Sequence, residues 1–414
     1  MSSIITNTLS NGLTLIIEPM TGVRSAAVTW LLSAGCAMDP DDRLGMSTMH
    51  AELMLRGAGD LKSRAQADAF DVLGASRSAE SGTHHLRLSS TMLGDRVLNA
   101  LPLLVDMVRC PRFDEDAIEP VRDLALQSLA SLADDPQERA SIACRARHFP
   151  APLNRSHYGT EDGLTALTRD ELMEGWRTRA RPGGSILAIA GAVDATAVID
   201  RVASLLQGWE GSSSEPTISG PPPRGYAHAA DETNQVQIIV MYDAPPEADA
   251  TSMLERVAVN VLSGGMASRL FTEVREKRGL CYSVSAGYGS NRTQARVLAY
   301  VGTTPDKAQD SLDVLFAELR RIYSPAGAVT REEFDRAKVS MKASVVFAGE
   351  STSARAGSLA ADQHRLGRPR SLSQLEEQID AVTLDDLNAY LATRHMGTPT
   401  IQTLGPRPLN PPRV

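Results

Sequence analysis

The stretch from Gly211 to Gly225, G-S-S-S-E-P-T-I-S-G-P-P-P-R-G, limits the folding options of this 414-residue chain more than any other. Ser, Gly and Pro at this density cannot propagate a helix or a central strand, so residues 211–225 read as a linker. The linker separates residues 1–210 from residues 226–414, and each part is long enough to bury a core of its own.

The two parts end alike. Residues 166–191 run A-L-T-R-D-E-L-M-E-G-W, a Pro-Gly break, then S-I-L-A-I-A-G. Residues 381–405 run A-V-T-L-D-D-L-N-A-Y-L, a break at Gly397-Thr398-Pro399, then T-I-Q-T-L-G. In both, a Thr N-cap precedes acidic first-turn residues, as a helix start requires, and the closing apolar run fits a strand. Duplication of one domain explains the match. Coincidence is the competing reading, because helix-turn-strand endings are common.

Other signals mix strands and helices. Asn11-Gly12 between Thr8-Leu9 and Leu13–Glu18 marks a hairpin. Ser25–Leu32 reads as a strand, and Thr83–Ser89 alternates as a half-exposed one. Helical runs follow at 93–109, 115–134 and 137–147. In the second part, Val236–Tyr242 is a buried strand, with helices near 250–263 and 268–277. Tyr282–Gly287 and Ala295–Val301 are strands, and helices dominate from Pro305 to Leu391. The expected class is α+β, with two layers per domain.

Composition removes several functions. A net charge of -8 argues against nucleic acid, and 4% aromatics argue against stacking on single strands. Cys36, Cys110, Cys144 and Cys281 are scattered with no C-x-x-C pair, which suits a reducing compartment rather than a zinc clip or disulfide framework. No basic-then-apolar leader and no run of about 18 apolar residues is visible, so a cytoplasmic protein with no membrane partner is expected. A leader already removed would leave no trace.

Residues Leu44–Gly57, L-G-M-S-T-M-H-A-E-L-M-L-R-G, follow the turn-like Asp39-Pro40-Asp41-Asp42. The segment resembles the first helix of the pitrilysin/insulinase family of zinc peptidases. There H-x-x-E-H sits between a leading Gly and a trailing basic-Gly pair. Two His one turn apart reach one metal, and the Glu between them takes a proton from metal-bound water. On this frame the first His falls on Thr48, the Glu on Ala51 and the second His on Glu52. The family's third ligand, a Glu on a later helix, falls on Ser128 within A-L-Q-S-L-A-S-L-A-D-D-P. These four degenerate positions are expected to bind no metal, so no cofactor is expected in this chain. His50 lies about 200° around the helix from Glu52, so those two cannot chelate one ion. It reads as core or surface filling. His84-His85 read as a solvated strand pair on alternating faces.

Residues 262–287 read L-S-G-G-M-A-S-R-L-F-T-E-V-R-E-K-R-G-L-C-Y-S-V-S-A-G. This resembles the most characteristic motif of the family's C-terminal domain, whose Arg and Tyr reach across to the zinc site of the other domain. Those positions are Arg275 and Tyr282 here. A guanidinium and a phenol donor suit the oxyanion of a tetrahedral intermediate or the substrate carbonyl. Gly264-Gly265 is too weak a pattern for a phosphate loop and reads as a packing or helix-entry feature.

The resemblance extends from T-L-S-N-G-L near the start to the final strand. It implies two homologous α+β domains, each a mainly antiparallel sheet packed on helices, closing into a clam-like chamber. The N-terminal peptidase-like domain carries the degenerate zinc motif, and the C-terminal one carries the Arg/Tyr motif. Three functions compete. In the first, the chain is the non-zinc half of a heterodimeric metallopeptidase whose partner, a homologue with intact H-x-x-E-H, carries zinc and cleaves peptides. In the second, it is an inactive peptide-binding or scaffold protein of the same fold. In the third, an unusual metal sits at Glu52 and His50.

Overall fold

The computed structural model describes residues 4–412. The first part begins with β1 (Ile5–Thr8), β2 (Thr14–Pro19), β3 (Ser25–Leu32) and α1 (Met46–Leu53). A two-residue ladder of β4 (Gly57–Ala58) and β5 (Leu61–Lys62) leads to α2 (Ser63–Val72), β6 (Ser76–Ser81) and β7 (Leu86–Leu93). Next come α3 (Val97–Arg109), α4 (Glu115–Ser131), α5 (Pro136–His148), α6 (Glu161–Ala166), α7 (Arg169–Arg179), β8 (Ile186–Gly191) and α8 (Ala195–Leu205). The second part runs β9 (Gly225–Ala230), β10 (Val236–Ala244), α9 (Ser252–Ser263), β11 (Cys281–Ser290) and β12 (Ala295–Thr303). It closes with α10 (Ala308–Arg321), α11 (Arg331–Glu350), α12 (Thr352–Leu366), α13 (Leu372–Ala381), α14 (Leu384–Thr393) and β13 (Thr400–Gly405).

These elements form two compact units, each discontinuous in sequence. Unit 1 takes the chain up to Ser131, Ala151–Ser219 and Ala348–Pro369, whereas unit 2 takes Leu132–Pro150, Gly220–Phe347 and the chain from Arg370 onward. The long break at Ser219–Gly220 falls inside the Pro-rich stretch. Helix α12 therefore belongs to unit 1 and α5 to unit 2. The linear division into 1–210 and 226–414 does not carry this exchange.

The sheet of unit 1 has the order β1-β2-β8-β3-β7-β6, and that of unit 2 the order β11-β12-β10-β13-β9. Read outward from the parallel pair, β2-β8-β3-β7-β6 matches β9-β13-β10-β12-β11. The first pair in each is parallel and every later one antiparallel. The two similar endings occupy equivalent places as α7–β8 and α14–β13. The class is thus α+β, with mainly antiparallel sheets packed on helices.

The exchanged helices add a layer beyond the two expected. On one face of the unit 1 sheet, Leu15, Val28, Trp30, Leu88 and Leu187 pack on α1, α3, α7 and α8. On the other face, Ile16, Ala27, Ala188 and Ala190 meet Ala356, Leu359 and Ala360 of α12. Alanine on both sides lets the helix lie close to the strands. Burial of both faces also explains why β8 reads as an unbroken apolar run. In unit 2, α5 buries Ala140, Cys144 and His148 at helical spacing. His148 Nδ1 lies 3.0 Å from Thr400 Oγ1 on β13.

An arginine in the fourth position of each exchanged helix grips an acidic residue in a strand of the sheet it covers or just after one. Arg355 donates to Glu18, both almost wholly buried. Arg139 donates to Asp231, with side chains 36% and 22% exposed.

Local expectations mostly match the observed elements. The Asn11-Gly12 hairpin pairs Thr8 with Thr14, with Gly12 at φ 89°. Thr168 forms a capping box with Glu171, and Thr383 accepts from the Asp386 amide at 3.1 Å. The strand expected at Thr83–Ser89 begins only at Leu86. Ahead of it, the backbone of Gly82, Thr83 and His84 is taken up by Cys36, Ala37 and Gly35 of a neighbouring loop. His84 and His85 are consequently not a solvated strand pair. Their ring centroids lie 5.5 and 4.4 Å from that of His364 on α12.

Candidate functional site

Helix α1 starts at Gly45, whose φ of 109° only glycine adopts easily. A Cβ there would stand 2.5 Å from Leu164 Cδ2. The exposed amides of the first turn are met from outside the helix by Asp39. Its carboxylate accepts from Gly45 N at 3.1 Å, Ser47 N at 3.0 Å and Ser47 Oγ at 3.0 Å, with Arg179 Nη1 at 3.1 Å behind it. The Asp-Pro-Asp-Asp turn thus supplies a cap that sequence reasoning passed over as a turn. Ser81, at the end of edge strand β6, donates to Ser47 Oγ at 2.8 Å and ties the sheet edge to α1.

Of the four motif positions, three lie on this helix and Ser128 lies on α4, and all but Glu52 are engaged or buried. The Thr48 hydroxyl donates to the His157 carbonyl. Ala51 is 3% exposed within the apolar core. Glu52 is half-buried. Helix α4 packs against α1, as a shared site requires, but Ser128 Oγ donates back to Leu124 O at 2.9 Å. His50 turns inward. It is fully buried, with Nε2 2.8 Å from Leu172 O and its ring against Phe113 and Trp176. Burial, with Arg179 nearby, pushes His50 down to about 3, so it stays neutral. It fills the core and cannot share an ion with Glu52.

The second motif occupies unit 2. Gly264 is a packing position, since a Cβ there would stand 2.1 Å from Asn260 Oδ1. Arg269, not singled out from sequence, anchors the motif to α11. It reaches Glu333 at 2.7 and 2.8 Å and the Gly327 carbonyl at 2.7 Å. Burial pushes the Glu333 carboxyl up, but Arg269 and Thr330 outweigh it and hold that group at about 2.

The expected helix at 268–277 is π-helical over Phe271–Glu276, with Lys277 N donating to Thr272 O at 2.9 Å. Such wide turns recur at functional sites. Within it Glu273 takes up Lys277 and Arg278, whereas Arg275 stays exposed with its Cζ 4.9 Å from the Phe271 ring centroid. Gly279, at φ 58°, turns the chain into β11. The β11–β12 register shifts between Cys281 and Ser283, so Tyr282 is the extra residue of a bulge, 68% exposed. Among the described residues neither Arg275 nor the Tyr282 hydroxyl makes a hydrogen bond or ion pair. Two strong donors are held out with nothing of this unit to satisfy them.

Two family models match the chain. Residues 15–161 match the insulinase family, peptidase family M16, and residues 166–341 match the peptidase M16 inactive domain. The chain belongs to the M16 peptidase family. Uncharacterized zinc proteases are similar along nearly their whole lengths. That of Streptomyces coelicolor is 26% identical over 412 residues, covering 96% of this chain and 89% of the relative. That of Mycobacterium leprae is 25% identical over 391 residues, covering 92% and 87%. Among solved structures, a peptidase M16 inactive domain from Pseudomonas fluorescens superposes with a TM-score of 0.87 at 18% identity, covering 99% of both chains. A protease from Helicobacter pylori gives 0.85 at 17%, covering 98% of this chain and all of its own.

The zinc that the M16 family implies does not fit this chain's residues. One ligand position is an engaged hydroxyl, another bonds its own helix, and the base is a buried methyl group. Only Glu52 offers a donor of the right kind. Among the described residues no three His, Cys, Asp or Glu side chains are grouped to hold a metal ion. No helix among them is long and apolar enough to cross a membrane.

Proposed function

We infer that this chain is the non-zinc subunit of a heterodimeric zinc metallopeptidase. Its partner is a homologue with intact H-x-x-E-H, which carries the metal and the general base. This chain contributes Arg275 and Tyr282, which bind the substrate carbonyl and stabilise the oxyanion that develops on it. One observation carries the reading. Of the zinc-motif positions, Thr48 and Ser128 bond backbone carbonyls and Ala51 is packed in the core, while the arginine and tyrosine of the other motif stay exposed and unpaired.

The test is reconstitution with the partner homologue and a quenched fluorescent peptide. The isolated chain cleaves nothing and takes up no zinc, and activity appears on mixing. Arg275→Ala lowers the mixed kcat by about 10²–10³-fold, the loss typical of one oxyanion donor. Tyr282→Phe lowers it less. If Arg275→Ala leaves the mixed activity unchanged, the assigned role is wrong. Peptide binding by the isolated chain, with no activity beside any zinc-bearing homologue, points instead to a peptide-binding pseudoenzyme.

A further inference from the structure

Strand β11 does not pair evenly with β12. The register holds from Ser283 to Ser290 but shifts between Cys281 and Ser283, which leaves Tyr282 as the extra residue. The architecture does not demand this shift. In unit 1 the matching pair β6–β7 keeps one register along its whole length. A bulge interrupts the ladder, and Leu280 just ahead of it is buried, so the Leu280 carbonyl needs a partner from elsewhere.

Thr303, the last residue of β12, supplies that partner. It is wholly buried, and its hydroxyl donates to Leu280 O at 2.5 Å. Ser311 of α10, also wholly buried, places its Oγ 3.1 Å from Thr303 Oγ1 and 3.2 Å from the same carbonyl. Its single proton serves one acceptor at a time, and the Lys307 carbonyl at 2.8 Å is the nearest. Thr303 is therefore the principal donor to Leu280. At the exposed side of the turn, Lys307 Nζ donates to Gly279 O at 2.8 Å.

Leu280 is also tied to the turn that carries Arg275. Its amide donates to Val274 O at 3.0 Å, and the Gly279 amide donates to Arg275 O at 2.9 Å. Leu280 is thus a junction, with its N–H fixed on the π-helical turn and its carbonyl fixed on the end of β12. Arg275 directly follows the first anchor, and Tyr282 lies two residues beyond Leu280. Without the Thr303 hydroxyl a buried carbonyl loses its close donor. The chain relieves that cost by moving the carbonyl, and the bulge moves with it.

We propose that Thr303 is a positioning residue, whose hydrogen bond to the Leu280 carbonyl holds the bulge that presents Tyr282. Buried beneath the turn, it acts on the reaction through Tyr282 alone. Its effect on catalysis rests on the peptidase reading above, whereas its hold on the bulge does not.

Two measurements separate these parts. In the full chain, nitrogen-isotope labelling of tyrosine gives NMR amide signals, and that of Tyr282 is assigned by its loss in Tyr282→Phe. Thr303→Val, similar in shape but without the hydroxyl, moves the Tyr282 signal, and Thr303→Ser leaves it near its original place. The signals of Tyr226 and Tyr390 stay put and show that the fold is kept. Ser311→Ala moves the Tyr282 signal less. In the mixed enzyme, Thr303→Val lowers kcat about tenfold, because a small displacement weakens an aligned donor, and Thr303→Ser stays within about twofold of the unmodified pair. In the Tyr282→Phe background Thr303→Val costs at most about twofold more, since the group it positions is gone. A Tyr282 signal unmoved by Thr303→Val, or by Ser311→Ala should the valine variant not fold, overturns the proposal. So does a kcat loss that persists undiminished in the Tyr282→Phe background. If the signal moves but neither Thr303→Val nor Tyr282→Phe changes the mixed activity, the hold on the bulge stands and the peptidase role of Tyr282 falls.

Discussion

In unit 1 the strands β2, β8, β3, β7 and β6 follow the order and pairing senses of β9, β13, β10, β12 and β11 in unit 2. Each sheet is covered on one face by a helix from the other part of the sequence. The units differ where chemistry would reside. In unit 1 the motif positions on α1 and α4 have lost their ligand types, Ala51 to the core and the Thr48 and Ser128 hydroxyls to backbone carbonyls, with only Glu52 left half-buried. In unit 2 the edge strand β11 is preceded by a π-helical turn and broken by a bulge, and both irregularities present unpaired donors. One architecture can thus retain its fold while one copy closes its site and the other keeps groups exposed. Burial favours satisfied or apolar side chains, whereas an exposed donor is kept hydrated at little cost.

The exchanged helices give the sharpest way to break this equivalence. Arg355→Ala leaves Glu18 buried at 3% exposure, so about 3–5 kcal/mol of stability is lost. Arg139→Ala removes a partly exposed pair, and solvent screening limits the loss to about 1 kcal/mol or less. Urea midpoints of the two variants measure the difference. Equal losses mean the two helices are not held in the differently buried ways described.

Acid should distinguish the helices next. His148 and His364 occupy the thirteenth position of α5 and α12 respectively. Burial, with Arg224 and Arg296 adding repulsion, pushes His148 down to about 4. A histidine depressed in the folded chain binds its proton more readily when unfolded. Its contribution is therefore full above about pH 6.5 and is lost as the pH falls toward 4, up to about 3 kcal/mol. His148→Gln flattens the decline in unfolding free energy between pH 7 and 4. An unchanged slope shows that other groups drive the acid response.

The smallest effects concern the two similar endings. Thr168→Ala removes the hydroxyl's bonds to the Glu171 amide and carboxylate, and Thr383→Ala removes the matching pair at Asp386. Each costs about 1 kcal/mol by thermal melts, and the two losses are alike. A clear difference between them shows that the two endings are not held by the same capping bonds.

Much of this was legible because it is local. Asn11-Gly12, Thr168 and Thr383 act through hydrogen bonds within a few residues, so residue type and spacing reveal them. The degenerate helix at Leu44–Gly57 and the motif around Arg275 and Tyr282 were readable for the same reason, as runs of neighbouring residues. What holds those sites was less visible. Asp39 caps α1 from outside the helix, and Arg269 anchors its motif through Glu333, 64 residues later. His84 and His85 were misread because a distant loop takes up their backbone.

The sequence by itself determined two similar α+β parts, a zinc frame without its ligands and an Arg/Tyr motif with its residues in place. Only the tertiary structure decided that α5 and α12 change units, that His50 fills a core, and that Thr303 takes up the Leu280 carbonyl. Those outcomes depend on which distant surfaces compete for the same helix or carbonyl. A helix such as α5, largely polar with a narrow buried stripe, carries no local mark of the sheet it will cover.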